Sequence, residues 1–139
     1  MISTWHGEGT AEVIDRYFNW TDAHAAAALA AEERLVHIID LGNCVVPPAH
    51  IRRRVYEHAQ ADLIREVTMC SIVAVDDPKL RQIVVTAHMP QPGMRPTELI
   101  FVETIEQAIV EAQGRLWAAR IPLPSNLDPR RYQPPVPVS

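Results

Sequence analysis

The sequence is short of several residue types that mark particular classes of protein. Glycine occurs 5 times and cysteine twice in 139 residues, and aromatic residues make up 6% of the chain. Two cysteines, Cys44 and Cys70, are too few for the disulfide framework of a small secreted domain, so we expect free thiols in a reducing cytoplasm. The segment Gly7–Gly9 lacks the third glycine of a phosphate-binding loop, so no nucleotide cofactor is predicted.

Long apolar runs and an excess of basic residues are also missing. The longest uninterrupted small apolar segment, Ala25–Ala31, is far too short to cross a membrane, and the first residues do not have the pattern of a signal peptide. The net charge is −4. Because proteins that bind nucleic acids usually present a basic face that displaces counterions, we expect neither nucleic acid nor membrane as a partner.

Catalytic and metal-binding motifs are absent as well. No serine stands in a Gly-x-Ser-x-Gly turn, and Cys44 with His50 is the only pair of nucleophile and base that lies close in sequence. His50 and His58 are eight residues apart and lack the i, i+4 spacing of a helical metal pair. The sequence therefore predicts a protein with no metal or cofactor and no enzymatic activity, with a thiol site at Cys44 as the remaining catalytic alternative.

What the sequence does contain is enough apolar material for one folded domain, together with many prolines. Apolar residues make up 47% of the chain, charged residues make up 22%, and there are 12 prolines. Half of the prolines fall in Ile121–Ser139, which can neither continue a helix nor form a central strand. We therefore predict a domain over residues 1–120 and an extended C-terminal arm over residues 121–139. The arm is expected to dock on its own domain or on a neighbouring subunit through Ile121, Leu123, Leu127, Tyr132 and Val136.

Apolar segments alternate with amphipathic ones over residues 1–120. Four short apolar segments are typical of buried strands, and each is followed by apolar residues at helical spacing. The predicted strands are Ile2–His6, Leu35–Leu41, Thr68–Val75 and Glu98–Val102. The β-α-β-α-β-α-β-α order predicts an α/β fold, with helices covering a small four-stranded sheet that is mostly parallel or mixed. The first strand is expected at an edge or in the opposite direction.

Four helices are predicted, each from a recognisable start signal. These signals are Thr10, Pro47-Pro48, Asp77-Pro78 and the capping box Thr104–Gln107. The second helix is predicted to run on through Leu63, and a kink in the first is possible at Asn19–Asp22. Lys79–Met89 is ambiguous because its β-branched residues also suit a strand, and the preceding Asp77-Pro78 favours a helix.

The order of elements, together with four short segments, resembles the SpoIIAA-like branch of the STAS superfamily, the anti-anti-sigma-factor fold. The segments are Trp5–Thr10 before the first helix, Ile38–Gly42 at the end of a central strand, Ile72–Val75 in the next strand, and Ile100–Ala108 at the last strand-to-helix junction. This resemblance implies a STAS-like domain that acts as a binding or regulatory module. In phosphorylated STAS domains a serine stands at the start of the helix after the central strand, but Asp40–His50 contains no serine or threonine.

The resemblance and the missing catalytic motifs together favour a non-catalytic cytoplasmic module that acts through protein–protein contacts and self-associates as a homo-oligomer such as a homodimer. Its expected contact surface is the loop after the second strand and the start of the following helix. The residues are Gly42, Asn43, Cys44, Pro47, Pro48, His50, Arg52, Arg53 and Arg54. The three arginines also suit a plainer interpretation, a solvated helix face paired with Glu57.

A second hypothesis is a carrier that holds a small apolar or anionic ligand between the sheet and the helices, which would require an internal cavity. Trp5, Trp20 and Trp117 could line such a cavity or an interface, although packing in the core is the plainer interpretation. Among these three side chains, Trp20 is expected to be the most exposed because polar residues flank it.

Overall fold

A computed structural model describes residues 1–60 and 62–135 of the chain. Four strands and five helices alternate along these residues. The strands are β1 (Ile2–Gly7), β2 (Leu35–Cys44), β3 (Thr68–Ala74) and β4 (Glu98–Val102). The helices are α1 (Ala11–Ala30), α2 (Ala49–Ala59), α3 (Asp62–Val67), α4 (Pro78–His88) and α5 (Ile105–Ala118). The predicted α/β fold is confirmed.

The four strands form one parallel sheet in the order β1-β2-β3-β4. The first strand is thus an edge strand and runs in the same direction as its neighbour. Because each strand pairs with the next one along the chain, connections of the usual right-handed kind place every crossover helix on the same face of the sheet. This face carries Ile39 and Val73, which pack with Leu80 of α4.

The opposite face of the sheet receives no crossover helix and is covered by the last part of the chain. Val36, Ile38 and Ile72 pack there against Ile109 and Leu116 of α5. The sheet therefore has side chains buried on both faces, which accounts for the nearly continuous apolar runs of its two central strands.

The C-terminal arm packs beside α5 on this same face. Ile121, Leu127 and Tyr132 contact the cluster of buried residues there, and the Tyr132 hydroxyl lies 3.0 Å from the Thr4 hydroxyl of β1. Three of the five predicted anchors thus dock on the arm's own domain. Leu123 is 44% exposed and does not serve as an anchor. Val136, the fifth predicted anchor, lies outside the described residues.

Three of the four predicted helix starts have side-chain caps, whereas α2 begins at Ala49, directly after Pro48, without one. The Thr10 hydroxyl accepts a hydrogen bond from the Val13 amide at 3.3 Å, and an Asp77 carboxylate oxygen accepts from the Leu80 amide at 3.1 Å. At the start of α5, the Thr104 hydroxyl accepts from the Gln107 amide at 3.3 Å. Lys79–Met89 is helical up to His88, as the start signal at Asp77-Pro78 predicts.

Helix α1 continues unbroken through Asn19–Asp22. Thr21, a poor helix former, is 1% exposed, and its hydroxyl donates to the Phe18 carbonyl at 2.9 Å. Burial of this residue and satisfaction of its hydroxyl within the helix outweigh its low intrinsic propensity.

The second predicted helix is in fact two helices, because α2 ends at Ala59 and α3 contains Leu63. The side chain of Arg65 stabilises the end of α2. Its Nε donates to the Ala59 carbonyl at 2.9 Å, which satisfies an acceptor at the end of α2. The expectation of one helix through Leu63 was wrong because a buried arginine provides this cap and hydropathy spacing does not register it.

Strand β2 is longer than predicted and includes residues assigned to a loop. It runs to Cys44 because the edge strand β1 offers further backbone pairing, with His6 opposite Asn43 and Gly7 opposite Cys44. The contact loop predicted over residues 42–50 is therefore shorter, and Cys44 lies at a strand end and not in a loop.

The expected exposure of the tryptophans was wrong. Trp117 is the exposed one, at 77%, whereas Trp20 is half-buried and its ring centroid lies 4.6 Å from that of His24 on the same helix. Trp117 follows the buried Leu116 and faces away from the sheet, and flanking polarity does not report the direction of a helix face. Among the helices of the described residues, none has the length and apolar character required to cross a membrane.

Candidate functional site

A cavity of about 150 Å³ lies between the sheet and the helices α1, α2, α3 and α4. Its floor comes from the sheet, and its walls come from the four helices. Floor residues are His37, Ile39 and Leu41 of β2 and Ser71 of β3, while Ile14, Tyr17, Val55, Leu80 and Val84 are among the wall residues. Short side chains help to leave this space, since Ser71 and Ala87 occupy buried positions where larger apolar residues would fill it.

Aromatic side chains form one wall of the cavity. The rings of Trp5 and Tyr17 meet edge to face with centroids 4.7 Å apart, and Phe18 stacks on His58 at 3.8 Å. The His58 Nε2 lies 2.8 Å from an Asp22 carboxylate oxygen, which holds the imidazole ring in this orientation. Such edge-to-face and stacked arrangements are favourable for aromatic groups, so the wall is fixed by its own contacts.

A small polar cluster lies at the floor of the cavity. The His37 Nε2 is 3.4 Å from both the Ser3 hydroxyl and the Tyr17 hydroxyl. Burial, reinforced by the nearby N-terminal ammonium group and His88, lowers the pKa of His37 to about 3, and burial also raises the pKa of Tyr17. Both side chains are therefore neutral near pH 7 and offer hydrogen bonds without charge.

A second polar cluster joins the ends of α2 and α4. His88 lines the cavity, and its Nδ1 donates to the Val84 carbonyl at 3.0 Å. Burial lowers the pKa of His88, and the positive charge of Arg65 acts in the same direction. Arg65 also lines the cavity, is 6% exposed, and donates from Nη2 to the His88 carbonyl at 3.4 Å.

The contact loop predicted from the sequence lies at one end of the sheet. Gly42, Asn43 and His50 are exposed, and Pro48 is half-buried at the start of α2. Cys44 and Pro47 are half-buried and line the cavity, so the structure divides the predicted loop between the surface and the cavity.

The thiol of Cys44 is poorly suited to nucleophilic catalysis. Burial, together with the negative charge of Asp77, raises the pKa of Cys44 to about 11, whereas reactive cysteines have lowered values. Its sulfur lies 3.4 Å from the Val45 carbonyl, as a weak donor at the end of β2. The geometry therefore disfavours a thiol site at this residue.

Two of the three consecutive arginines have ion-pair partners within the chain. Arg53 pairs with Glu57 at 2.8 Å, as the plainer interpretation of this run predicts, and Arg54 pairs with Asp15 of α1. Arg52 is half-buried on the same helix. The three side chains do not form one patch, because successive residues of a helix point in different directions.

Candidate metal ligands are dispersed. Across residues 1–60 and 62–135, no group of three or more histidine, cysteine or acidic side chains is arranged to hold a metal ion. His58 is occupied by Asp22, and His50 lies exposed at the start of α2.

Sequence reasoning missed the residues that give the cavity its chemistry, namely Tyr17, His37, Arg65, Ser71 and His88. One signal was available: His37 and Ser71 interrupt two otherwise apolar strand segments, and a polar residue in a buried strand requires a partner or a site. Comparisons with protein-family models, with curated proteins and with solved structures find no match to this chain.

Proposed function

We propose that this protein binds a small apolar molecule in the cavity between its sheet and helices. The observation that carries the proposal is the cavity itself, whose volume is about 150 Å³ and whose lining is mainly aliphatic and aromatic. Apolar cavities of roughly 150 Å³ hold molecules of about the size of benzene. A single six-membered ring, or an aliphatic chain of similar volume, fits this space.

The electrostatic character of the cavity supports the same function. No aspartate or glutamate is among the described residues that line it, and His37 is neutral near pH 7 because burial lowers its pKa to about 3. Binding of an apolar molecule in the cavity therefore does not remove water from a carboxylate among the described lining residues. The hydroxyls of Tyr17 and Ser71 add a few polar groups that orient a ligand, which is typical of small-molecule sites.

The proposal is tested by titrating benzyl alcohol into the full chain and following backbone amide shifts by NMR. We expect saturable shifts around the cavity with a dissociation constant of about 0.1–1 mM, which corresponds to about 4–5.5 kcal/mol. Val55→Phe places a ring in the cavity from α2 and is expected to weaken binding at least tenfold.

The matched control is Val110→Phe, which makes the same change at a residue that is 56% exposed on α5. This variant is expected to bind benzyl alcohol as the original chain does. Absence of saturable shifts in the original chain, or equal binding by both phenylalanine variants and the original chain, would contradict the proposal.

A module that acts through protein–protein contacts stays a second candidate. It is supported by the exposure of the loop that follows β2, where Val45 is 53% exposed and lies between Asn43 and His50. Membership of the SpoIIAA-like branch of the STAS superfamily stays a prediction, since an α/β architecture is shared by many families. If alanine at Asn43, Val45 and His50 changes neither the oligomeric state nor the capture of partners, this candidate is removed.

A further inference from the structure

The lining of the cavity includes one buried cation whose hydrogen-bonding capacity is only partly used. Arg65 is 6% exposed and lines the cavity, yet its Nη1 has no hydrogen-bond partner among the described residues. The only Lys or Arg side chain in the described lining is this one, and no Asp or Glu lines the same space. A buried guanidinium without an acidic partner is costly, and such groups are normally paired with an anion or coordinated fully by hydrogen bonds.

The two hydrogen bonds that this guanidinium makes have a structural purpose. Nε donates to the Ala59 carbonyl at 2.9 Å and Nη2 to the His88 carbonyl at 3.4 Å, so Arg65 joins the ends of α2 and α4. Carbonyl groups at helix C-termini are natural partners of a cation. This role accounts for Nε and Nη2 but leaves Nη1, which carries two N–H groups, without an acceptor.

Resting on the function proposed above, we infer that the ligand is a small apolar monocarboxylate whose carboxylate pairs with the guanidinium of Arg65 while its apolar body fills the cavity. Charge-assisted hydrogen bonds between guanidinium and carboxylate are short, strong and directional. One unpaired cation in a cavity of about 150 Å³ matches one negative charge on a body of about one ring. A phosphate ester would bring up to two charges and more acceptors than this single donor group can satisfy.

The inference is tested on the full chain at pH 7.5 with three probes of nearly equal shape, which are benzoate, benzyl alcohol and benzylamine. Carboxylic acids of this kind are ionised at that pH. Calorimetric titration is expected to give benzoate at least tenfold tighter binding than benzyl alcohol, which is about 1.4 kcal/mol, and benzylamine the weakest binding.

Substitutions of Arg65 separate ligand recognition from the structural role. Arg65→Gln is expected to bring the ratio of the benzoate and benzyl alcohol affinities, both measured on the variant, to about one. Arg65→Lys, which keeps the charge, is expected to retain part of the preference. The matched control is Arg34→Gln, because Arg34 donates from Nε to the Val67 carbonyl at 3.3 Å but is not part of the cavity lining. This control is expected to keep the full preference.

The outcomes distinguish the two proposals, and the three probes on the unaltered chain suffice if a variant fails to fold. Equal affinity for benzoate and benzyl alcohol would overturn the carboxylate inference and leave the binding function standing. A preference for benzoate that persists in Arg65→Gln would also overturn the inference, because the anion would then be held elsewhere. Failure of all three probes to bind would overturn both.

Discussion

His37 is a buried histidine whose titration should be visible in the stability of the whole protein. Its pKa is about 3 in the folded chain because of burial, against an ordinary value of 6.5. Below pH 6.5 His37 binds a proton in the unfolded chain but not in the folded chain. The contribution of neutral His37 to the free energy of unfolding is therefore complete above pH 6.5 and is lost progressively as the pH falls below that value. The expected loss is about 1.4 kcal/mol per pH unit, or about 2 kcal/mol between pH 7.5 and 5.

Urea unfolding of the original chain and of His37→Gln at these two pH values checks this expectation. Glutamine keeps a polar side chain beside Ser3 and Tyr17 but has no group that titrates. The His37→Gln variant is expected to lose about 2 kcal/mol less than the original chain over the same interval. Equal losses would show that His37 does not carry the pH dependence, and His88, whose pKa burial also lowers, would then be the next candidate.

At the scale of single residues, the sequence indicates which side chains are buried far better than what the buried polar ones do. Thr10, Asp77 and Thr104 were identifiable as caps because a cap needs only a local sequence pattern. The role of Arg65 was not identifiable, because its acceptors lie on two helices that become neighbours only in the folded chain. The exposed member of the three tryptophans was assigned wrongly because polar neighbours in sequence do not report which face of a helix points to solvent.

At the scale of elements, the start of α4 depends on one carboxylate. Asp77 accepts hydrogen bonds from the amides of Lys79 at 2.7 Å and Leu80 at 3.1 Å. Asp77→Ala is expected to lower the free energy of unfolding by about 1 kcal/mol because two amides lose their acceptor. Asp76→Ala, at the exposed neighbouring residue, is the control, with an expected change within about 0.5 kcal/mol. Thermal or urea unfolding measures both, and similar losses in the two variants would contradict the assignment of the cap.

The ends of a helix or strand could be predicted where they are set by interactions between residues close in sequence. The first and last residues of β4 were predicted as observed, and the start of α5 was predicted from its capping box. Local sequence signals mark these positions. The extension of β2 to Cys44 was missed, since it depends on pairing with β1 across more than thirty residues of chain. The division between α2 and α3 was missed because it depends on a cap from Arg65.

At the scale of the whole molecule, the C-terminal arm completes the face of the sheet that α5 leaves open beside β1. Leu127 is half-buried against that face, whereas Leu123 in the same arm is 44% exposed. Leu127→Ala is expected to lower the free energy of unfolding by about 1–2 kcal/mol through lost apolar contact, and Leu123→Ala by less than about 0.5 kcal/mol. Urea unfolding of both variants makes the comparison, and equal effects would show that the arm does not contribute through this contact.

The overall architecture was predictable because it follows from the alternation of apolar strands and amphipathic helices. The position of the cavity was not predictable, since it arises from the combined volumes of side chains on seven elements, among them Ser71 of β3 and Ala87 of α4. The carrier hypothesis required an internal cavity, but the sequence did not indicate where the cavity would lie.

The docking of the arm has a consequence for biosynthesis. Tyr132 meets Thr4, a residue 128 positions earlier, so β1 is synthesised long before the segment that covers its edge. The strands pair in the order in which the ribosome releases them, but the apolar surface beside β1 stays open to water until residues 121–132 have emerged. During that interval a nascent chain exposes a surface that chaperones or other nascent chains can bind, and release of the arm ends that exposure.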